Sequence, residues 1–81
     1  MKIIDQSKKL MIDTNAFYIF VKSLDGDTFH GVFAKPNASE LNTNTYDSFS
    51  LGRYESEDDA LKEFQKIVSA ESVGANLFNM K

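Results

Sequence analysis

The chain has 81 residues, a formal net charge of -3 and a hydrophobic content of 42%, which together indicate one small globular domain. It contains no cysteine, so disulfide bonds and thiolate zinc sites cannot stabilise its small core. The mild negative charge disfavours a nucleic-acid binder that depends on a large positive surface, while leaving a local basic patch open.

Two short apolar runs near the N-terminus predict a pair of strands. Ile3 and Ile4 form the first run and residues 10–12 form the second. The polar residues 5–9 between them are expected to form the turn that joins these two strands.

The N-terminal residues also lack the pattern of a secretion signal. Asp5 stands where the middle of an apolar signal region is required, and the longest apolar run, residues 16–21, is too short to cross a bilayer. We therefore expect a cytoplasmic protein that does not associate with membranes.

The strongest β signal follows. Residues 16–24 are rich in β-branched and aromatic side chains, and residues 28–35 form the return strand. Asp25 and Gly26 between them are typical of a hairpin turn.

On the first strand, Phe17, Ile19 and Val21 share one face, and Tyr18, Phe20 and Lys22 share the other. One face is expected to pack against a helix, and the other is either covered by the chain ends or a partner, or left exposed as an interaction patch.

A long polar stretch, residues 37–47, begins after Pro36 ends the return strand. Loops of this length are often functional, but a connection without a role explains the same composition. Both interpretations stay open.

Residues 49–54 predict a strand that leads into the clearest helix of the chain. Ser56 is the expected N-cap, acidic residues follow it in the first turn, and apolar residues then recur at helical spacing. The helix is expected to run from about Glu57 to about Val73, with Gly74 as the first residue beyond its C-cap.

The predicted fold class is α+β, an antiparallel sheet of four or five strands packed against one long C-terminal amphipathic helix. Residues 1–74 are assigned to this domain and residues 75–81 to an apolar C-terminal tail. Leu77, Phe78 and Met80 do not continue the apolar stripe of the helix. The tail is therefore expected either to fold back on the sheet or to dock on another chain.

Residues that carry chemistry are sparse. His30 is the only histidine and has no cysteine or nucleophile-elbow motif to accompany it. Asp25 and Asp27 lack the remaining ligands of a calcium loop, and isolated glycines form no phosphate-binding loop. The sequence predicts no enzyme, no cofactor and no metal site.

Charge is densest at the start of the helix, where Glu55, Glu57, Asp58 and Asp59 lie close together, with Glu63 one turn further on. A capped and solvated helix start explains this cluster. The alternative is that these carboxylates pair with a basic groove on a partner or imitate nucleic-acid phosphates.

Two segments carry a resemblance to known proteins. Residues 1–6, Met-Lys-Ile-Ile-Asp-Gln, and residues 51–61, Leu-Gly-Arg-Tyr-Glu-Ser-Glu-Asp-Asp-Ala-Leu, resemble small proteins encoded by phages, prophages and mobile elements of Gram-positive bacteria. Those chains often begin MKII-S-Q and enter a helix through LGxYxSExxA, whereas residues 16–47 differ from them. The resemblance implies an accessory protein of a phage or mobile element, and it assigns no catalytic or binding residue.

Together these observations predict a non-catalytic protein-binding module that inhibits or modulates a bacterial enzyme or defence complex. Its predicted partner-binding residues are Glu55, Glu57, Asp58, Asp59, Leu77, Phe78 and Met80. One alternative is a homo-oligomer joined through the C-terminal tail. The other is a small nucleic-acid or nucleotide binder, in which Lys22, Lys35 and Arg53 form a basic sheet face with Tyr18 and Phe20.

Overall fold

The computed structural model describes residues 1–24, 29–37 and 48–81. The predicted hairpin turn at Asp25 and Gly26 and most of the predicted polar loop lie outside these residues. The described part contains six strands and one helix: β1 (Lys2–Ile4), β2 (Met11–Asp13), β3 (Phe17–Leu24), β4 (Phe29–Pro36), β5 (Phe49–Tyr54), α1 (Glu57–Ser72) and β6 (Leu77–Asn79).

The α+β class is confirmed, but the sheet arrangement differs from the prediction. Instead of one antiparallel sheet of four or five strands, the described residues form two sheets of three strands, β2-β1-β6 and β3-β4-β5. We call β3-β4-β5, which has the longer strands, the larger sheet, and β2-β1-β6 the smaller sheet. The larger sheet stops at β5 because Gln6 occupies the edge of that strand. The Gln6 backbone donates to the Leu51 carbonyl at 2.7 Å, and the Gln6 side-chain oxygen accepts from the Arg53 backbone at 2.8 Å.

The smaller sheet joins the two ends of the chain. β1 pairs antiparallel with β2, with Ile3 opposite Ile12, and pairs parallel with β6, with Ile3 opposite Phe78. The Met80 side chain is fully buried, and its backbone N–H donates to the Ile4 carbonyl at 3.0 Å. The C-terminal tail thus folds back as strand β6 and pairs with β1, which is one of the two arrangements expected for it.

The larger sheet is the predicted hairpin extended by β5. β3 pairs antiparallel with β4 along its whole length, and β4 pairs antiparallel with β5 through an irregularity between Val32 and Phe33. α1 lies across one face and contacts all three strands. Val32 and Ala34 on β4 are fully buried on that face, and Ile19 of β3 packs against the same core.

One core serves both sheets. Ile3 and Ile12 of the smaller sheet contact the same buried cluster as Leu51 of the larger sheet and Ile67 of α1. Because the cluster is continuous, the two sheets and the helix are parts of one domain.

The ends of α1 follow the sequence signals. The Ser56 hydroxyl oxygen accepts from the Asp59 backbone N–H at 3.1 Å, which caps the first turn. At the other end, Gly74 has a φ of 79° and donates its N–H to the Glu71 carbonyl, while the Ala75 N–H donates to the Ala70 carbonyl. This pair of bonds is a Schellman motif, which reverses the chain and directs it into β6.

Asp5 organises the connection between β1 and β2. Its carboxylate accepts from the Ser7 hydroxyl at 2.7 Å and from the Lys9 and Leu10 backbone N–H groups at 3.0 Å each. Burial raises the pKa of the Asp5 carboxyl, but these hydrogen bonds outweigh burial, so the pKa lies below its ordinary value.

We expect Asp5→Asn to lower the free energy of unfolding at neutral pH by roughly 1.5 kcal/mol or more, the scale of hydrogen bonds to a charged acceptor. Because the pKa is lowered in the folded protein, the carboxylate stabilises the fold above its ordinary pKa, and this contribution is lost as the pH falls. Urea unfolding of both proteins at several pH values measures the difference, which should shrink in acid. Glu55→Gln, at an exposed position, is the matched control. An equal effect of the two substitutions would contradict the role of Asp5.

Candidate interaction surfaces

The face of the larger sheet opposite α1 carries a row of aromatic rings. Tyr18 and Phe20 alternate along β3 with the residues that face the helix, and Phe20 lies opposite Phe33 of β4. The centroids of the Phe20 and Phe33 rings are 5.6 Å apart with nearly parallel planes, and those of Tyr18 and Phe20 are 5.9 Å apart. Tyr18, Phe20 and Phe33, which we call the aromatic row, thus form one contiguous group.

Cationic side chains lie on the same sheet face. Lys35 is opposite Tyr18, and both Lys22 and Arg53 are in register with Gly31 between them. The described strand positions of this face contain no aspartate or glutamate. The basic and aromatic residues of the predicted nucleic-acid alternative are therefore together on one face.

The acidic residues of the helix start all lie on the surface. Glu57, Asp58 and Asp59 occupy the first turn of α1 and are exposed, as is Glu55 just before the N-cap. Glu63, which the sequence places in the same cluster, is buried and has a different environment. The surface cluster consists of the four exposed carboxylates, which we call the acidic end.

The three apolar residues predicted to bind a partner through the tail have different environments. Leu77 is 50% exposed, Phe78 is partly buried against the core, and Met80 is fully buried. Met80 is thus a core residue and is not accessible to a partner, because β6 is bound to β1. Of the three, Leu77 is the most exposed, at 50%.

A polar junction that sequence reasoning missed holds this segment in place. The buried Glu63 carboxylate accepts from the Lys81 backbone N–H at 2.9 Å, and Lys66 lies 3.7 Å from the same carboxylate. The Tyr54 hydroxyl donates to the Lys81 carbonyl at 2.9 Å, and the Lys8 ammonium donates to the Met80 carbonyl. These residues are far apart in the sequence, and no local motif marks them.

The junction also explains one glycine. A Cβ atom on Gly52 would lie 2.7 Å from the Tyr54 hydroxyl and 3.1 Å from the terminal methyl group of Met80. Glycine therefore leaves the space that both side chains occupy. Burial of Tyr54, together with the negative charge of Glu63, raises the pKa of the Tyr54 phenol to about 12.

His30 has a partner that the sequence did not reveal. His30 is buried on the helix-facing side of β4, and its Nδ1 atom lies 2.7 Å from the Ser23 hydroxyl on β3. The two residues are directly opposite in the strand register, so this is a cross-strand hydrogen bond. Among the described residues, no carboxylate forms a hydrogen bond with His30 of the kind that orients the histidine of a catalytic triad.

The described residues also bear on metal binding and on membrane crossing. In the ranges 1–24, 29–37 and 48–81, no three histidine, aspartate or glutamate side chains are grouped closely enough to hold a metal ion. The helix in this part of the chain is not long and apolar enough to cross a membrane. Comparisons of the chain with protein-family models, with curated proteins and with solved structures gave no match.

We expect one of the three tyrosines to ionise near pH 12, and Tyr54→Phe to remove that component from a spectrophotometric titration. Since the raised pKa belongs to the folded state, the protonated phenol stabilises the fold below its ordinary pKa of about 10. This contribution is lost as the pH rises through about 12. Circular dichroism at each pH shows whether the protein is still folded. A titration of folded protein near pH 12 that is the same in the wild type and in Tyr54→Phe would contradict the prediction.

Proposed function

We propose that the chain is a non-catalytic protein-binding module, acting in the bacterial cytoplasm as a factor of a phage or mobile element. In this proposal it inhibits or modulates a bacterial enzyme or defence complex by occupying a surface. The observation that carries the proposal is the aromatic row on the sheet face that α1 leaves uncovered. The resemblance of residues 1–6 and 51–61 to phage and mobile-element proteins supports the proposed origin.

The aromatic row has the chemistry of a protein interface. Tyrosine and phenylalanine are enriched at protein contacts because they bury a large area with little loss of side-chain freedom. Tyr18 is 37% exposed and Phe20 and Phe33 are partly exposed, so a partner would remove further apolar surface from water. Lys22 and Lys35 add a polar rim to this apolar centre.

The acidic end supports the proposal in a second way. Four exposed carboxylates at one end of α1 create a local negative potential that the positive end of the helix dipole only partly offsets. Such a potential accelerates association with a basic surface and makes the association sensitive to salt. It acts on the rate of encounter, while the aromatic row supplies affinity.

A single-stranded nucleic acid is the second candidate partner, and a specific observation favours it. Lys22 and Lys35 lie beside the aromatic row, and bases stacked on aromatic side chains contribute about 1–3 kcal/mol each. The net charge of -3 and the acidic end oppose phosphate binding, however. We therefore place a protein partner first.

Affinity capture with variants tests the proposal. We call the face of the larger sheet opposite α1 the outer face. Phe33→Ser combined with Lys35→Ser removes one aromatic ring and one cation from this face on the central strand β4. We expect tagged wild-type protein to recover one stoichiometric protein from a lysate of a Gram-positive bacterium. The double variant should bind that protein at least ten-fold more weakly, a loss of about 1.4 kcal/mol, because hot-spot aromatics contribute on this scale.

Leu77→Ser is the matched control, since it removes an exposed apolar side chain from a strand of the other sheet. Its affinity should equal that of the wild type. Loss of binding in the control alone would move the interface to β6. Recovery of nucleic acid, with nuclease-sensitive binding that weakens steeply with salt, would favour the second candidate.

The acidic end has its own test. We expect the combined substitutions Glu57→Gln, Asp58→Asn and Asp59→Asn to slow association with the captured protein several-fold at low salt and to reduce its salt dependence. Stopped-flow or surface-plasmon measurements at several salt concentrations give both quantities. Amide substitutions keep the side-chain size, and Lys62→Gln on the same helix is the control. An unchanged association rate and salt dependence in the folded triple variant would remove the acidic end from the interface.

A further inference from the structure

The two long edges of the larger sheet differ. At the β5 edge, Gln6 acts in place of a neighbouring strand, since its side-chain nitrogen also donates to the Arg53 carbonyl at 3.2 Å. β3, at the other edge, has eight residues and pairs only with β4 among the described strands. Lys22 is the one charged residue in β3. Proteins generally protect long apolar edges, because their free backbone groups pair readily with another strand.

An apolar groove runs beside this edge, between β3 and α1. Phe17 and Ile19 of β3 form one wall, Phe64 and Val68 of α1 form the other, and the groove has a volume of about 270 Å³. Val68 is 50% exposed although it faces the groove. The edge thus offers backbone hydrogen bonds and apolar surface on the same side of the molecule.

We propose that a second copy of this chain covers the edge. The two β3 strands pair antiparallel across a two-fold axis and join the two three-stranded sheets into one six-stranded sheet. This contact is isologous, so each copy uses the same residues. Its backbone contacts lie at the edge of the sheet, although the side chains of Tyr18, Phe20 and Lys22 that meet across it also belong to the face used in the proposed function. The contact replaces the C-terminal tail as the site of self-association.

The sequence of β3 complements itself about Phe20. With Phe20 opposite Phe20 of the second copy, Tyr18 faces Lys22 of that copy, and Ile19 faces its Val21. The first contact is a cation–π pair and the second pairs two β-branched side chains across the strands. The central rings extend the stack of Phe20 on Phe33 into both copies.

Charge also favours this register. Pairing centred on Lys22 would place two ammonium groups directly opposite each other, which is unfavourable. In the register centred on Phe20, each Lys22 meets an aromatic ring instead. The two helices then lie on the same face of the joined sheet, and Phe64 and Val68 of both copies line the sides of one shared groove.

Light scattering over a range of concentrations tests the contact with protein alone. We expect a wild-type dimer that dissociates on dilution, and a dissociation constant at least ten-fold higher in both Phe20→Lys and Phe20→Glu, because each places like charges at the two-fold axis. An equal mixture of the two variants should restore the dimer. Met11→Lys, at a 54% exposed position on the edge strand β2, is the control and should stay dimeric.

A cysteine test fixes the register and remains informative if the Phe20 variants fail to fold. Directly opposite residues in antiparallel strands have Cα atoms about 4.5–5.5 Å apart, within disulfide range. Tyr18→Cys combined with Lys22→Cys should therefore form a covalent dimer on mild oxidation, whereas Tyr18→Cys alone should not. Within one chain the two positions are about 13 Å apart and cannot be bridged. A wild-type monomer at every concentration, or no covalent dimer from the double variant, would overturn the proposal.

Discussion

The fold depends on the burial of Met80, which holds the C-terminal segment against β1 and β5. Its backbone binds Ile4, its side chain is fully enclosed, and its methyl group fills the space that Gly52 leaves free. A small domain buries a limited fraction of its surface, so each interior side chain carries a large share of the stability. Removing a buried methionine side chain costs about 2–5 kcal/mol, against a typical total of about 5–15 kcal/mol.

The two faces of the larger sheet have separate roles. One face is bound by α1 and supplies Val32 and Ala34 to the core, so its residues are fixed by packing. The other carries the aromatic row and three cations, none of which the core requires. A face of this kind can change its partner without changing the fold, because the helix-facing residues alternate with the outward-facing ones along every strand.

Local signals in the sequence predicted the elements, and distant contacts determined their arrangement. The hairpin strands, β5 and the limits of α1 followed from alternation, capping residues and helical spacing, and the outer face also followed from alternation. The division into two sheets does not follow from such local signals, because it depends on the hydrogen bonds of Gln6 with Leu51 and Arg53, which are far away in the sequence. The burial of Met80 also does not follow from the sequence, because the three-residue parallel strand that precedes it leaves no clear pattern. The predicted origin and function stay predictions.

The parallel pairing of β1 with β6 brings together Ile3 and Phe78, from opposite ends of the sequence. Strands β3, β4 and β5, by contrast, pair with the next strand along the chain, and α1 follows β5 directly. Contacts between distant residues form late, because closing a long loop costs entropy before any contact compensates for it. During synthesis, the larger sheet and α1 can therefore assemble before Phe78 pairs with Ile3 and before Met80 is buried in the core that contains Leu51. We therefore expect the core to close only after residues 77–80 have left the ribosome.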